Sequence, residues 1–274
     1  MEITTLVENS QGEHTGLVVE HGLSFLIESE TTSILFDTGQ SDAFIRNAQK
    51  LQKDLSRVEH VVLSHGHYDH SGGFRSFVGH AGVGPFKLWT GEGFFTPKYG
   101  KFNSSYQYLG NDFDSAFVAD HGIEHKTVTG VKEIARGVHL VTDFARTHRE
   151  ETIHPRFVLK EGGAWRADPF DDELLLVVES AKGLVVVVGC SHPGILNMLD
   201  TVIAHFKRPI YALVGGTHLV EADHGRTERT IAAFNERGIE VLGISHCSGV
   251  SAIEMSVAHS DHHYYNHTGS SLPL

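Results

Sequence analysis

Residues 61–73, "VVLSHGHYDHSGG", place three histidines and an aspartate within six positions directly behind an apolar run. Val61, Val62 and Leu63 read as the end of a buried strand, and Ser71, Gly72 and Gly73 break the pattern after it. The donors therefore sit on a strand-end loop. In an extended segment side chains alternate, so His65 and His67 point the same way and can share one cation, while Asp69 and His70 face a second position. A carboxylate beside imidazoles suits zinc, with manganese or iron as alternatives. A surface cluster drawn from the chain's 21 histidines is the bland reading, and it does not account for the HxHxDH order followed by Ser-Gly-Gly.

"SHGHYDHSGG" resembles the HxHxDH signature of the metallo-β-lactamase fold superfamily, and "ILFDTGQS" (34–41) resembles the strand and turn that precede it there. "EHGLSFLIE" (20–28), "DDELLLVVESAKGLVVVVGCSHPGILN" (171–197), "GGTHL" (215–219) and "ISHCSG" (244–249) are similar to the branch named after 7,8-dihydropterin-6-methyl-4-(β-D-ribofuranosyl)aminobenzene-5′-phosphate synthase. The match is good over the first 75 residues and the last 100, and poor between them. It implies an α/β fold, a four-layered αββα sandwich of two mixed sheets flanked by helices. It also implies a metal site, one or two divalent ions, where strand-end loops meet.

The ligands that complete such a site should also follow strands. "GLVVVVGCSH" ends in Cys190 and His192, "IYALVGGTHL" in His218 and "IEVLGISHCSG" in His246. One histidine after a strand is usually a cap or a hydrogen-bonded structural residue, but three in succession beside HxHxDH point to ligands. The resemblance assigns His246 to the second metal with Asp69 and His70. Cys190 falls where the superfamily usually has a bridging aspartate, a departure that leaves it either a thiolate ligand or a small buried residue. His192 is expected as the third imidazole beside His65 and His67. His218 is expected to serve the substrate, or to complete a metal shell, and Asp37 of "FDTG" to orient a ligand histidine. His125, His148 and His154 lie where the usual third histidine falls, but none follows a clean strand.

Divalent ions with an open position lower the pKa of bound water to near neutral and polarise the oxygen under attack, with Asp69 orienting that water or taking its proton. Ser191 lacks the G-x-S-x-G frame of a nucleophile elbow. The expected function is a metal-dependent hydrolase acting on a small, cyclic or phosphorylated molecule. Alternatives are the synthase or lyase chemistry of the resembled branch, an iron-dependent oxidoreductase, and a non-catalytic metal or ligand sensor. His67 stands where diiron members of the superfamily carry glutamate, which disfavours the oxidoreductase.

Segment 91–113, "GEGFFTPKYGKFNSSYQYLGNDF", carries Phe94, Phe95, Tyr99 and Tyr106 with Lys98 and Lys101 between them. It reads either as a loop packing its own rings or as a substrate loop offering aromatic faces and lysines, and its glycines and polar residues argue against regular strands. "THREETIHPRF" (147–157) is a second polar loop expected at the same mouth.

The chain has 274 residues, of which 40% are hydrophobic, enough for one large domain. A single domain over 1–274 is expected, with a variable insertion at about 91–160. A formal charge of −12, from 22 basic and 34 acidic residues with no basic run, disfavours nucleic acid as a partner. The first residues, "MEITTLVENSQGEHTG", lack a signal pattern and no stretch is apolar enough for a bilayer, so a cytoplasmic, membrane-independent protein with a small-molecule substrate is expected. The oligomeric state is left open. Strands are expected at 3–7, 15–20, 23–28, 33–37, 59–64, 86–90, 138–142, 173–179, 184–189, 210–214 and 240–245, and helices at about 41–53, 113–120, 194–206 and 226–237.

Overall fold

A computed structural model describes residues 1–259 and 263–274. The chain divides into two compact units. The first contains Met1–Val128, His154–Glu173 and His267–Leu274, and the second Thr129–Ile153 and Leu174–Asn266.

The first unit holds a seven-stranded mixed sheet. Its strands, in spatial order, are β17 (Ser271–Pro273), β1 (Glu2–Val7), β2 (Ser24–Glu28), β3 (Ser33–Phe36), β4 (His60–Val62), β5 (Lys87–Gly91) and β8 (Glu124–Val128). The pairs from β17 to β3 are antiparallel and those from β3 to β8 parallel. β3 and β4 are buried along almost their whole length, as the apolar runs "SILF" and "VV" require of strands covered on both faces. Phe44, Phe74, Phe77, Phe94 and Phe113 join Leu26, Leu35, Val61 and Leu63 in one core cluster. A second, antiparallel sheet in this unit has the order β12 (Ala164–Ala167), β11 (Phe157–Glu161), β6 (Lys98–Phe102), β7 (Ser105–Tyr108).

The second unit is built on a six-stranded sheet ordered β16 (Val241–Ser245), β15 (Ile210–Gly216), β14 (Leu184–Val188), β13 (Leu175–Glu179), β10 (Val138–Val141), β9 (Val131–Ala135). β14, β15 and β16 run parallel, so their carboxyl ends emerge on one edge. Helices Ile195–Phe206 and His224–Glu236 connect them and bury Leu199, Val202, Ile231 and Phe234 against Val186 and Val188. The α/β class and the mixed sheets agree with expectation. Among the described residues, no helix is long and apolar enough to cross a membrane.

Three departures from the expected elements have local causes. Segment 15–20 is not a strand: the Asn47 side chain accepts from Val18 N at 2.8 Å and donates to Val18 O at 2.7 Å and Leu6 O at 2.8 Å, taking the place of a strand partner. The helix expected to open after Gly225 starts at His224, because Asp223 caps it by accepting from Arg226 N at 2.7 Å. Segment 98–108 is a hairpin rather than an irregular loop. The alternation Lys98-Tyr99-Gly100-Lys101-Phe102 pairs with Ser105–Tyr108, and Asn103 takes the left-handed conformation at the turn (φ 53°).

Asn47→Ala should therefore lower the unfolding free energy by about 1–3 kcal/mol, since it strands buried backbone groups of Leu6 and Val18. Urea denaturation measures this, and an unchanged midpoint would show that loop 12–20 is held by other contacts.

Candidate metal centre

In the first unit the chain leaves β4 through Leu63 and Ser64, and a short helix, Tyr68–Ser71, carries Asp69 and His70. His65 and His70 are fully buried, His67 is 6% exposed and Asp69 7%. His65 Nε2 and His67 Nδ1 face each other at 3.0 Å, as the i, i+2 spacing predicts for two donors to one cation. His70 Nε2 lies 3.8 Å from Asp69 Oδ2. Burial, followed by the neighbouring imidazoles of His70 and His67, pulls the His65 pKa well below its ordinary 6.5, so the ring is held neutral, the form that ligates a metal.

Asp37 follows β3 in the left-handed conformation (φ 58°), completely buried. Its Oδ2 accepts from His70 Nδ1 at 2.6 Å and from Ser64 Oγ at 2.8 Å, and its Oδ1 accepts from Ser64 N at 2.7 Å. The His70 proton is thus placed on Nδ1, leaving Nε2 as a lone-pair donor. Ser64 Oγ gives its only proton to Asp37, so it accepts from His65 Nδ1 at 3.0 Å and leaves His65 Nε2 deprotonated as well. One carboxylate sets both tautomers.

A second buried acid holds the loop from the other side. Asp172 Oδ2 accepts from Gly66 N at 2.8 Å, and Lys98 Nζ donates to Asp172 Oδ1 at 2.9 Å and Asp168 Oδ2 at 2.8 Å. Burial lowers the Lys98 pKa, but Asp172 and Asp168 outweigh it and the net shift is upward. Gly66 has no room for a side chain, since a Cβ there would lie 2.4 Å from Phe94 O. Phe157 and Phe170 wall the His67 ring at 5.5 and 5.3 Å between centroids. Neither the Lys98 triad nor His21, whose Nε2 lies 3.2 Å from Asp69 Oδ2, was expected at the site. The sequence signal for His21 was its place in "EHGLSFLIE".

These facts correct the reading of segment 91–113. Lys98 is 2% exposed and committed to two carboxylates, and Phe94 is 1% exposed within the core, so neither is offered to a ligand. Phe95 packs partly buried against Phe94 and Phe113. Tyr99 and Tyr106 both pack on Trp165, Tyr106 stacked at 3.8 Å with 6° between planes. Tyr106 and Lys101 remain exposed.

In the second unit Cys190, Ser191 and His192 follow β14, Thr217 and His218 follow β15, and His246 and Cys247 follow β16. Ser191, His218 and His246 all have positive φ, 62°, 48° and 54°, a strained backbone that turns each strand sharply at its carboxyl end. The His192 and His218 rings are 4.1 Å apart. Ser191 Oγ donates to Gly216 O at 2.8 Å, a structural bond that leaves no nucleophile. Loop 147–151 is fastened to the helix after His192: Glu151 accepts from Leu196 N at 3.0 Å and Asn197 N at 2.9 Å, and Asn197 Oδ1 accepts from Thr147 N and His148 N. His148 pairs with Asp200, His125 with Thr90, and His154 accepts from Arg156 N.

Two outcomes follow. Asp37→Ala should weaken metal binding about 10–100-fold by releasing the His65 and His70 tautomers, with isothermal titration as the measurement. In the metal-free protein, the depressed His65 pKa means that the unfolded chain binds the extra proton first. Stability is then fully present above about pH 6.5 and declines as pH falls from there through the lower folded value. Thermal melts of the wild type and His65→Asn in chelator should show a shallower acid decline in the variant; parallel profiles would contradict the buried neutral ring.

The metallo-beta-lactamase superfamily model matches residues 17–264. The 7,8-dihydropterin-6-methyl-4-(beta-D-ribofuranosyl)-aminobenzene-5′-phosphate synthase of Methanocaldococcus jannaschii is 28% identical over 271 residues, covering 93% of this chain and 90% of that protein. An uncharacterised protein of the same organism is 26% identical over 99% of this chain and all of its own length. The crystal structure of Tm1679, described as a metal-dependent hydrolase of the beta-lactamase superfamily, superposes with a TM-score of 0.87 at 32% identity, covering 100% and 99% of the two chains. A diphosphatase of the PhnP family shares the fold at a TM-score of 0.56 and 11% identity, covering 100% of this chain and 97% of that one. The chain belongs to the metallo-β-lactamase superfamily.

Proposed function

We propose that the chain is a metal-dependent hydrolase of a small phosphorylated or cyclic molecule, with His65, His67, Asp69, His70, His192 and His246 as ligands of two divalent ions, zinc in the first instance. The observation that carries this reading is the buried set His65, His67, Asp69 and His70, in which Asp37 fixes the tautomers of His70 and, through Ser64, of His65 so that their Nε2 atoms remain free to ligate. Three buried imidazoles beside one carboxylate are a donor set suited to a divalent cation.

Divalent ions bound there supply Lewis acidity and bring the pKa of water near neutral. The chain's own residues do the rest. Asp69 orients the attacking water and takes its proton. Asp37 keeps His70 and His65 in their ligating tautomers, and Asp172 fixes Gly66 so that the two flanking histidines converge. Phe157 and Phe170 exclude bulk solvent from the His67 side.

A second reading is favoured by the Methanocaldococcus jannaschii synthase, whose likeness runs over 93% of this chain. On that reading the same ligands serve the synthase chemistry for which that protein is named, on a dihydropterin and ribofuranosyl-aminobenzene phosphate framework.

His67→Ala should remove bound metal and turnover together, while Tyr106→Ala should retain metal and raise KM, because Tyr106 is exposed and outside every ligand motif. Metal analysis and steady-state assays on phosphomonoester, phosphodiester and lactone substrates measure both. Full metal content in the His67 variant would overturn the ligand assignment. Product formation only from the paired pterin and aminobenzene substrates would favour the synthase.

A further inference from the structure

The HxHxDH loop leaves β4 at its carboxyl end, and the amino ends of the same parallel strands border a second recess. His60, Lys87 and Glu124 open β4, β5 and β8, and the register sets His60 opposite Lys87 and Lys87 opposite Glu124. All three line an open cavity of about 670 Å³. Its apolar wall is Val78, Val83, Phe86 and Ile123, each partly buried against the core cluster of the first unit. Phe77 and Phe74 meet the Phe86 ring edge-on at 5.2 and 6.1 Å between centroids, which makes that wall rigid. The size and the apolar lining suit a small organic molecule.

Two imidazoles supply the polar groups. An indole nitrogen only donates, so His60 Nδ1 accepts from Trp89 Nε1 at 3.0 Å and the neutral His60 ring carries its proton on Nε2. Burial lowers the His60 pKa below the ordinary 6.5, with Glu59 opposing and Lys87 adding, so the ring is neutral at pH 7 and above. A carbonyl only accepts, so His121 Nδ1 donates to Phe117 O at 2.8 Å and the neutral ring presents a lone pair at Nε2. The cavity is thus bordered by one N–H donor and one nitrogen acceptor. At its rim Lys87 Nζ lies 4.0 Å from Glu124 Oε2, which offsets the two charges.

We propose that this cavity binds a neutral heteroaromatic ring bearing an amino group, the ring nitrogen accepting from His60 Nε2 and the amine donating to His121 Nε2. The ring face packs on Phe86 and the aliphatic wall. An anion is opposed by Glu59 and Glu124 beside the single ammonium of Lys87, and a plain hydrocarbon would strip water from both imidazole nitrogens without replacing it. The site uses no residue of the metal centre and so goes beyond the hydrolytic reading, whose failure would leave it untouched.

The test follows the indole N–H resonance of Trp89 in ¹H–¹⁵N spectra of the metal-free full chain at pH 8. Of the two tryptophans, Trp165 is replaced by phenylalanine, and the protein is titrated with adenine and with purine, which lacks the amino group. Adenine should shift the resonance to saturation, because Trp89 donates to the His60 ring that the ligand touches. Purine should bind about 5- to 10-fold more weakly, the worth of one neutral hydrogen bond. His121→Ala should bring adenine down to the affinity of purine, Val83→Arg should abolish both titrations by filling the cavity, and His67→Ala should leave both as they are. Thermal melting checks the fold of each variant, and because His121 is exposed its variant decides the matter if Val83→Arg fails to fold. No saturable shift with adenine, equal affinities for adenine and purine, an unaltered ratio in His121→Ala, binding retained in folded Val83→Arg, or binding lost in His67→Ala would overturn the proposal.

Discussion

The buried carboxylate of Asp37 is the interaction on which the first unit's chemistry rests. It accepts three hydrogen bonds, from Ser64 N, Ser64 Oγ and His70 Nδ1, without exposure to solvent. A carboxylate in that position is stable only if every lone pair it directs inward is met. Meeting them fixes the path of the chain after β4, the rotation of His70 and, through Ser64, the protonation of His65. The left-handed backbone at Asp37 is the strain that aims the carboxylate, at a cost of order 1 kcal/mol for a non-glycine residue.

Strain of the same kind recurs at Ser191, His218 and His246, each at the carboxyl end of a parallel strand. Sheets of this type deliver side chains to a common edge, and a sharp turn there points a residue across the edge rather than along it. The apolar strands supply rigidity, the turns supply direction, and the histidines and cysteines are carried at the turns. Burial then selects their chemical state: His65 is pushed neutral by desolvation, whereas Asp168 and Asp172 are matched to the Lys98 ammonium rather than left alone.

Much of this was legible in the sequence because it is local. The HxHxDH spacing states which nitrogens converge, and "VVVVGC", "ALVGG" and "VLGIS" announce strands whose next residues are candidates. What was hidden depends on distant partners. Lys98 looked like a substrate lysine among aromatics, and nothing near it in sequence reveals that Asp168 and Asp172, 70 and 74 residues on, close around it. Asp172 likewise reaches Gly66 across 106 positions. The hairpin β6–β7 was obscured by glycine and polar residues whose pairing with β11 becomes visible only in three dimensions. Val18 sat in an alternating run, yet an asparagine side chain satisfies its backbone in place of a strand.

Asp37 aims the buried His70 ring and, through Ser64, the neutral His65 ring of the loop after β4 toward a cation. Anomalous diffraction at the zinc edge, from crystals of the full chain grown with zinc, tests it most directly. The account predicts anomalous peaks within coordination distance of His65 Nε2, His67 Nδ1 and His70 Nε2, with the Nδ1 atoms of His65 and His70 still bonded to Ser64 and Asp37. Zinc bound elsewhere on the chain while those three nitrogens carry no peak would contradict it.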